Sequence, residues 1–301
     1  MSVLCTGSVA VDFIMVYHGR FQDVILPDKI RMLNVAFHVP ELRKSFGGTA
    51  ANIAFNLRLL GEDPIILATV GNDFAAYGEW LERHGIRRDG IRVLEDEATA
   101  GAYIITDLDD NQIIGFHSGA MDRAHEVQVS DADGVTLGIV SPDGRQGMID
   151  HAEQFAAAGI PFIFDPGQAM PLFNKDDFRT FIQQATWVCV NDYESQLLQE
   201  RTGWSAHEIA EKVEALIVTR GGKGSYIYAS DDGRIEIPPA PVKGVVDPTG
   251  CGDAYRGGLL YGLMNGLDWE VTARIAALMG AIKIEHHSTQ LGTGDHPGGR
   301  S

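Results

Sequence analysis

The stretch that decides the fold reads Asp247-Pro248-Thr249-Gly250-Cys251-Gly252-Asp253, and continues into Ala254-Tyr255-Arg256-Gly257-Gly258-Leu259-Leu260. Two glycines stand at the entrance to a segment with helical spacing. They let the backbone close into a concavity of N–H groups, where unpaired amides and the helix dipole both attract an anion. Asp253 sits on the first turn, facing whatever those amides hold. An anion hole beside a carboxylate is suited to phosphoryl transfer. The plainer reading is a Gly-rich helix entry with an acidic first turn. Context has to decide between them.

Outward from this stretch, apolar runs bounded by Gly, Pro or Asp alternate with helical patterns, which predicts a mainly parallel sheet covered by helices. Strands are expected at residues 3–6, 65–70, 135–140, 161–164, 187–190 and 216–219. Residues 225–229 and 234–237, joined through Asp231-Asp232-Gly233, read as a hairpin near the end of the sheet. Residues 50–60 have helical spacing (Ile53, Leu57, Leu60) and stop at Gly61, a good C′ residue. On the later helix, Ala254, Gly258 and Gly262 form a small-residue stripe that allows close packing on a neighbour. Several strands end in a polar or glycine signal: Gly7 and then Asp12, Gly71 with Asp73, Asp165, Asn191, and Thr219 before Gly221-Gly222. Ligands of open α/β sheets bind outside the carboxyl ends of the strands, so these residues predict one shared edge and an active site on it. Residues from about 13 to 45 and about 91 to 118 break the alternation. Their β-rich pieces, such as Ala102-Tyr103-Ile104-Ile105 and Ile113-Ile114-Gly115-Phe116, predict a small sheet standing over the same site.

Bulk properties narrow the function. The chain has 301 residues, 45% hydrophobic and 22% charged, with a net charge of −17. A globular core is expected, and binding to a nucleic-acid backbone is disfavoured by the acidic balance. Cys5, Cys189 and Cys251 show neither a disulfide framework nor zinc-ligand spacing. No secretory leader and no membrane-length apolar run is read, so a cytoplasmic location without membrane contact is expected.

Further motifs supply the context. Gly47-Gly48-Thr49-Ala50-Ala51-Asn52 opens a helix where a ligand can approach the backbone closely. Asp12 follows the first strand, where a carboxylate can accept bonds from vicinal hydroxyls. Asn191-Asp192-Tyr193-Glu194 closes an apolar strand; its Asn and Glu can hold waters around Mg²⁺, or simply cap a helix. Thr219-Arg220-Gly221-Gly222-Lys223-Gly224 is a strand end with a Gly-rich turn, suited to a pyrophosphate or ribose. A P-loop is absent, and the first strand lacks G-x-G-x-x-G, which argues against a dinucleotide-binding dehydrogenase.

In this order the motifs resemble the ribokinase-like (PfkB) family of carbohydrate and nucleoside kinases, over essentially the whole chain. The resemblance implies a three-layer α/β/α sandwich with a mainly parallel sheet and a small β-sheet lid. Cys251 departs from the alanine common at its position, but its amide would still be available. Within the family the chain is most similar to bacterial adenosine kinases of the mycobacterial type. That similarity rests on Thr6-Gly7-Ser8 with Asp12, Gly19-Arg20-Phe21, Leu26-Pro27, residues 37–42, Gly119-Ala120-Met121, Asp165-Pro166 with Gln168, and Thr202-Gly203-Trp204-Ser205. It implies transfer of the ATP γ-phosphoryl group to the adenosine 5′-hydroxyl. Asp253 would be an ionised but modest base, with the amides of Gly250, Cys251 and Gly252 around the transferred group. Asp12 would hold the ribose hydroxyls, with Ser8, Gly48 and Asn52 completing the pocket, Phe116 stacking on the base and Gln168 bonding near it. Ala102 stands where the family has a second aromatic, and Tyr103 would compensate in a shifted register. ATP would be met by Asn191, Thr219, Gly221 and Gly224, Mg²⁺ through water by Glu194, and K⁺ or another monovalent cation near Asp247 and Thr249. A homodimer through the lid is implied as well. The competing expectations are a sugar kinase with the same machinery and a non-catalytic nucleoside-binding protein on the same fold.

Overall fold

Long apolar strands with no polar alternation need cover on both faces, and here they receive it. In the computed structural model, which describes residues 2–25, 34–229 and 233–290, the chain begins with β1 (Ser2–Thr6), β2 (Ala10–Val16) and a single turn, α1 (Phe21–Val24). It continues through β3 (Glu41–Gly47), α2 (Thr49–Leu59), β4 (Ile65–Gly71), α3 (Ala75–Arg83), β5 (Ile91–Leu94), β6 (Ala100–Thr106) and β7 (Gln112–His117). The second half holds β8 (Val135–Val140), α4 (Arg145–Ala158), β9 (Phe162–Phe164), α5 (Lys175–Gln184), β10 (Trp187–Asn191), α6 (Asp192–Thr202) and α7 (Ala206–Ala210). It closes with β11 (Ala215–Thr219), β12 (Ser225–Ala229), β13 (Gly233–Ile237), α8 (Cys251–Met264) and α9 (Trp269–Ile284). The sequence motifs at Leu26-Pro27, at the Asp231-Asp232 turn and after Gln290 lie outside the described residues.

Nine strands form the main sheet in the order β13-β12-β11-β10-β9-β8-β1-β4-β5. Pairing is parallel from β11 to β5, and the β12–β13 hairpin adds two antiparallel strands at one edge. Successive residues of a strand point to opposite faces. Val3 and Cys5 accordingly join Ile53 and Leu57 of α2 and Leu259 of α8, whereas Leu4 joins Phe155 of α4 and Phe181 of α5. Three layers follow from that division. The small-residue stripe of α8 meets α9: a Cβ on Gly258 would lie 2.6 Å from Ala276 Cα, and one on Gly262 would lie 2.4 Å from Thr272 Oγ1.

The second sheet runs β3-β2-β6-β7, with β2 and β6 parallel and the other two pairs antiparallel. Its limits differ from the expected segments 13–45 and 91–118. β2 begins at Ala10 and β3 ends at Gly47, while β5, at residues 91–94, pairs with β4 at the edge of the main sheet. A β-rich composition identifies a strand but does not say which sheet edge will take it. Across this lid, Ser45, Asp12, Ala102 and Phe116 stand opposite one another in a single row and so share one face.

Candidate active site

The turn before α8 is held by its own backbone. Thr249 N–H donates to Asp247 Oδ1 at 2.9 Å, and Cys251 N–H donates to Pro248 O at 3.3 Å. Gly250 then takes φ +77°, a left-handed conformation that strains any L side chain, and a Cβ there would crowd Thr289 at 3.0 Å. No side chain caps α8, so of its first-turn amides those of Gly252 and Asp253 have no side-chain acceptor. The Cys251 amide, expected in the anion hole, is committed to the turn instead. Gly250, Gly252 and Asp253 are left to furnish the N–H groups.

Asp253 is anchored by a chain of polar side chains. Asn52 Nδ2 donates to Asp253 Oδ2 at 2.8 Å, and Gln290 Nε2 donates to Asn52 Oδ1 at 3.2 Å. Gln290 is itself fixed, donating to the Tyr77 hydroxyl at 2.7 Å and accepting from Trp80 Nε1 at 2.7 Å. Tyr77 completes the series by donating to Gly47 O at 2.8 Å. The sequence reading had Asp253 ionised and only weakly basic. Burial instead pushes its carboxyl up to about 7, outweighing the Asn52 hydrogen bond and the nearby Arg256 charge. A carboxylate so placed is a better proton acceptor near neutrality.

One turn beyond, Arg256 is buried and forms a two-pronged pair with Asp165, Nε to Oδ2 and Nη2 to Oδ1, each at 2.8 Å. A Cβ on Gly252 would lie 2.9 Å from Arg256 Nη1, so this glycine lets the helix entrance rest against the guanidinium. Sequence reasoning missed Arg256 and Gln290. The signal for Arg256 was a lone charge among small and apolar residues, three positions after Asp253. Nothing local marks Gln290, whose partners lie more than two hundred positions away.

The expected nucleoside pocket is partly redistributed. Asp12 remains a candidate: a Cβ on Gly47 would stand 3.2 Å from its Oδ2, which places the carboxylate over the entrance to α2. Its carboxyl is raised to about 6, by burial first and then by the negative charge of Asp247. Ser8 is corrected. Its buried hydroxyl accepts from Thr49 N–H at 3.0 Å, doing the capping that Gly48 has no side chain to do. Gly48 takes φ +95°, and a Cβ there would lie 2.5 Å from Ser8 O and 2.6 Å from Ala10 N, so the position calls for glycine on both counts. Asn52 is buried with both ends of its amide engaged by Asp253 and Gln290, so it positions the carboxylate and does not present itself to a sugar. Phe116 is 54% exposed in the row of Asp12, and Gln168 is exposed just past the carboxyl end of β9. Tyr103 does not compensate for Ala102. It lies on the opposite lid face, stacked on Phe13 at 4.8 Å between ring centroids.

On the other side, Asn191 and Thr219 end neighbouring strands in register. Asn191 and Glu194 form a capping box: Asn191 N–H donates to Glu194 Oε2 at 2.8 Å and Glu194 N–H donates to Asn191 Oδ1 at 2.7 Å. Glu194 lies 4.0 Å from Arg256 Nη2, and burial, then the Asp165 charge, raises its carboxyl. Gly221, with open space around it, can admit a ligand, whereas a Cβ on Gly224 would lie 2.0 Å from Ile237 O, a requirement of the sheet itself. At the expected monovalent-cation position, Lys283 Nζ donates to the Asp247 carbonyl at 2.8 Å and lies 3.7 Å from Asp247 Oδ2, while Thr249 N–H donates to Asp247 Oδ1.

The helix entrance with its glycines, the buried Asp253 carboxyl and the lid row of Asp12 and Phe116 make up the candidate site. The family model for pfkB family carbohydrate kinases matches residues 2–295. The chain belongs to that family. This pfkB-family chain is 31% identical over 290 residues to a nucleoside kinase of Methanocaldococcus jannaschii, covering 96% of this chain and 92% of the relative. It superposes on Burkholderia thailandensis nucleoside kinase in complex with inosine with a TM-score of 0.86 and 48% identity, covering 97% of this chain and 93% of that one. Adenosine kinase from Sinorhizobium meliloti, at 19% identity and a TM-score of 0.76 over 96% and 95% of the two chains, shares the fold.

Proposed function

We propose that this pfkB-family kinase transfers the γ-phosphoryl group of ATP to the 5′-hydroxyl of a purine nucleoside, with adenosine as an acceptor and AMP and ADP as products, a salvage reaction. The observation that carries this reading is the lid row, in which the Asp12 carboxylate and the Phe116 ring share one face two strands apart. A carboxylate can accept from the two ribose hydroxyls while an aromatic stacks on the base. The similarity to a nucleoside kinase solved with inosine supports the same substrate class.

In the reaction, Asp253 accepts the proton of the attacking hydroxyl. The amides of Gly250, Gly252 and Asp253 stabilise charge on the transferred group, in a process governed mainly by positioning and electrostatics. Arg256 keeps a positive charge beneath that entrance. Phosphate and water would supply most ligands of Mg²⁺, with Glu194 as an outer anchor; among the described residues no group of three or more His, Cys, Asp or Glu is placed to hold a metal. The bound Mg²⁺ would neutralise phosphate charge. Lid closure would keep water from competing with the nucleoside.

Coupled measurement of ADP production with adenosine, guanosine, inosine, ribose and fructose tests the proposal. Turnover with a nucleoside far above that with either sugar is expected. Preference for a free sugar would replace this reading with the sugar-kinase one, and binding without ADP release would favour a non-catalytic role. Exposed Leu42, Tyr103 and Ile113 on the lid further support a lid-to-lid homodimer, and sedimentation showing only monomer at micromolar protein would remove it. Among the described residues no helix is long and apolar enough to cross a membrane, and a cytoplasmic setting is part of the proposal.

A further inference from the structure

Lys283 is 1% exposed, a costly position for an ammonium group unless oxygen atoms surround it. They do. Its Nζ donates to Asp247 O at 2.8 Å and to His286 O at 3.3 Å, and lies 3.7 Å from Asp247 Oδ2. These oxygens come from two loops: the turn that leads into α8 and the segment that leaves α9. The loops also touch directly, through Val246 and Asp247 N–H groups donating to Ile284 O at 2.8 and 3.2 Å. Beyond them, the same α9 exit places Thr289 against Gly250 and Gln290 against Asn52.

Two backbone carbonyls and one carboxylate around a single positive charge make the environment in which K⁺ exchanges its hydration shell for protein oxygens. The lysine ammonium is a compact point charge of similar kind, delivered on a flexible stem. We infer that Lys283 is a built-in monovalent cation, locking the Asp247 turn to the α9 exit in the place where a free K⁺ would otherwise do so. This inference rests on the kinase reading only in what it says about turnover. A lysine in the last turn of a helix can merely offset the helix dipole, but it then serves its own helix end. Lys283 reaches a carbonyl 36 positions away, at the base of the anion hole. It also lowers the proton affinity of Asp253 and Cys251 through its charge. It is a positioning residue: it acts through the turn, and the turn presents the amides.

The test compares KCl with tetramethylammonium chloride at equal ionic strength, for the wild-type chain and for Lys283→Ala and Lys283→Met. Wild-type turnover and thermal midpoint should be the same in the two salts. Lys283→Ala, which leaves space among the oxygens, should lose about 10–100-fold in turnover in tetramethylammonium, less than the roughly 10²–10³-fold for removing an oxyanion donor outright, because the amides are displaced and not removed. It should regain much of that turnover in KCl, with a saturable rise in thermal midpoint. Lys283→Met, which refills the space, should be impaired in both salts without K⁺ rescue. Activation of the wild type by K⁺ would overturn the inference, as would a folded Lys283→Ala protein whose midpoint ignores K⁺. If neither variant folds, the wild-type comparison still decides. The thermal measurement needs no acceptor, so failure of the kinase reading would show separately, as absence of ADP production.

Discussion

Around Asp253 the polar side chains are tied down in series, whereas the lid face that carries the half-buried Asp12 opens to solvent toward its β7 edge. Asn52, Gln290, Tyr77 and Trp80 hold one another through buried bonds, and Arg256 is locked by both oxygens of Asp165. On the lid, Phe116 is 54% and Ile114 55% exposed, and the sheet meets the α9 exit through few bonds, such as Ser45 Oγ to Ser288 Oγ at 2.9 Å. The contrast separates two tasks. Stabilising a developing charge requires groups that do not reorganise, so they are built into the body. On the proposed reading, recognising an acceptor calls for a surface that can open and close, and the lid sheet would serve that task.

If that division is right, changes in the body should act on kcat or on stability, and changes in the lid should act on KM. The largest expected effect is Asp253→Asn, losing about 10²–10⁴-fold in turnover while nucleoside binding by calorimetry is retained. Near-normal turnover would break the assignment. Arg256→Met should destabilise the fold by about 3–5 kcal/mol, because it leaves Asp165 buried without its partner, and urea unfolding would read it. A loss under about 1 kcal/mol would show that solvent reaches Asp165. Phe116→Ala should weaken nucleoside binding by about 1–3 kcal/mol, the range for base–aromatic stacking, with kcat little changed. A fall in kcat at constant KM would instead move Phe116 to the chemical side of the comparison.

The smallest effect concerns pH. With Asp253 near 7, kcat/KM should fall as pH drops through that value, because the protonated acid cannot accept the hydroxyl proton. Stability should move the other way. The native carboxyl holds its proton at pH values where the unfolded one has released it, so stability declines as pH rises from the ordinary carboxylate range to about 7. Asp253→Asn removes that penalty. Its thermal midpoint should exceed the wild-type value at alkaline pH and match it at acid pH, where both states of the wild type are protonated. Equal midpoints at alkaline pH would mean that Asp253 carries no such strain.

The comparison also explains what the sequence could reveal. Strands such as β10 and β11, with uninterrupted apolar runs ending in Asn191 and Thr219, were legible because burial on both faces leaves no alternation to confuse them. The Gly250 turn and Asp253 were legible because a positive φ and a first-turn acid are local demands. Ser8, Asn52 and Cys251 were placed in the right neighbourhood but given the wrong partners, since hydrogen bonds to Thr49, Gln290 and Pro248 depend on which loops meet. Tyr103 shows the period of a strand at work: a shift of one residue turns a ring to the other face. Residues 91–94, inside the approximate segment expected for the lid, pair with β4 for a related reason, because pairing is a property of neighbours and not of the strand.

Gln290 lies more than two hundred positions from Tyr77, Trp80 and Asn52, all of which it binds. Contacts of such separation are entropically the last to be rewarded during folding. On refolding, the central sheet can therefore collapse and bury its aromatic rings while Asn52 is still without Gln290. Recovered activity should lag recovered compactness, and the indole of Trp80, bonded directly to Gln290, is the natural clock for that final step.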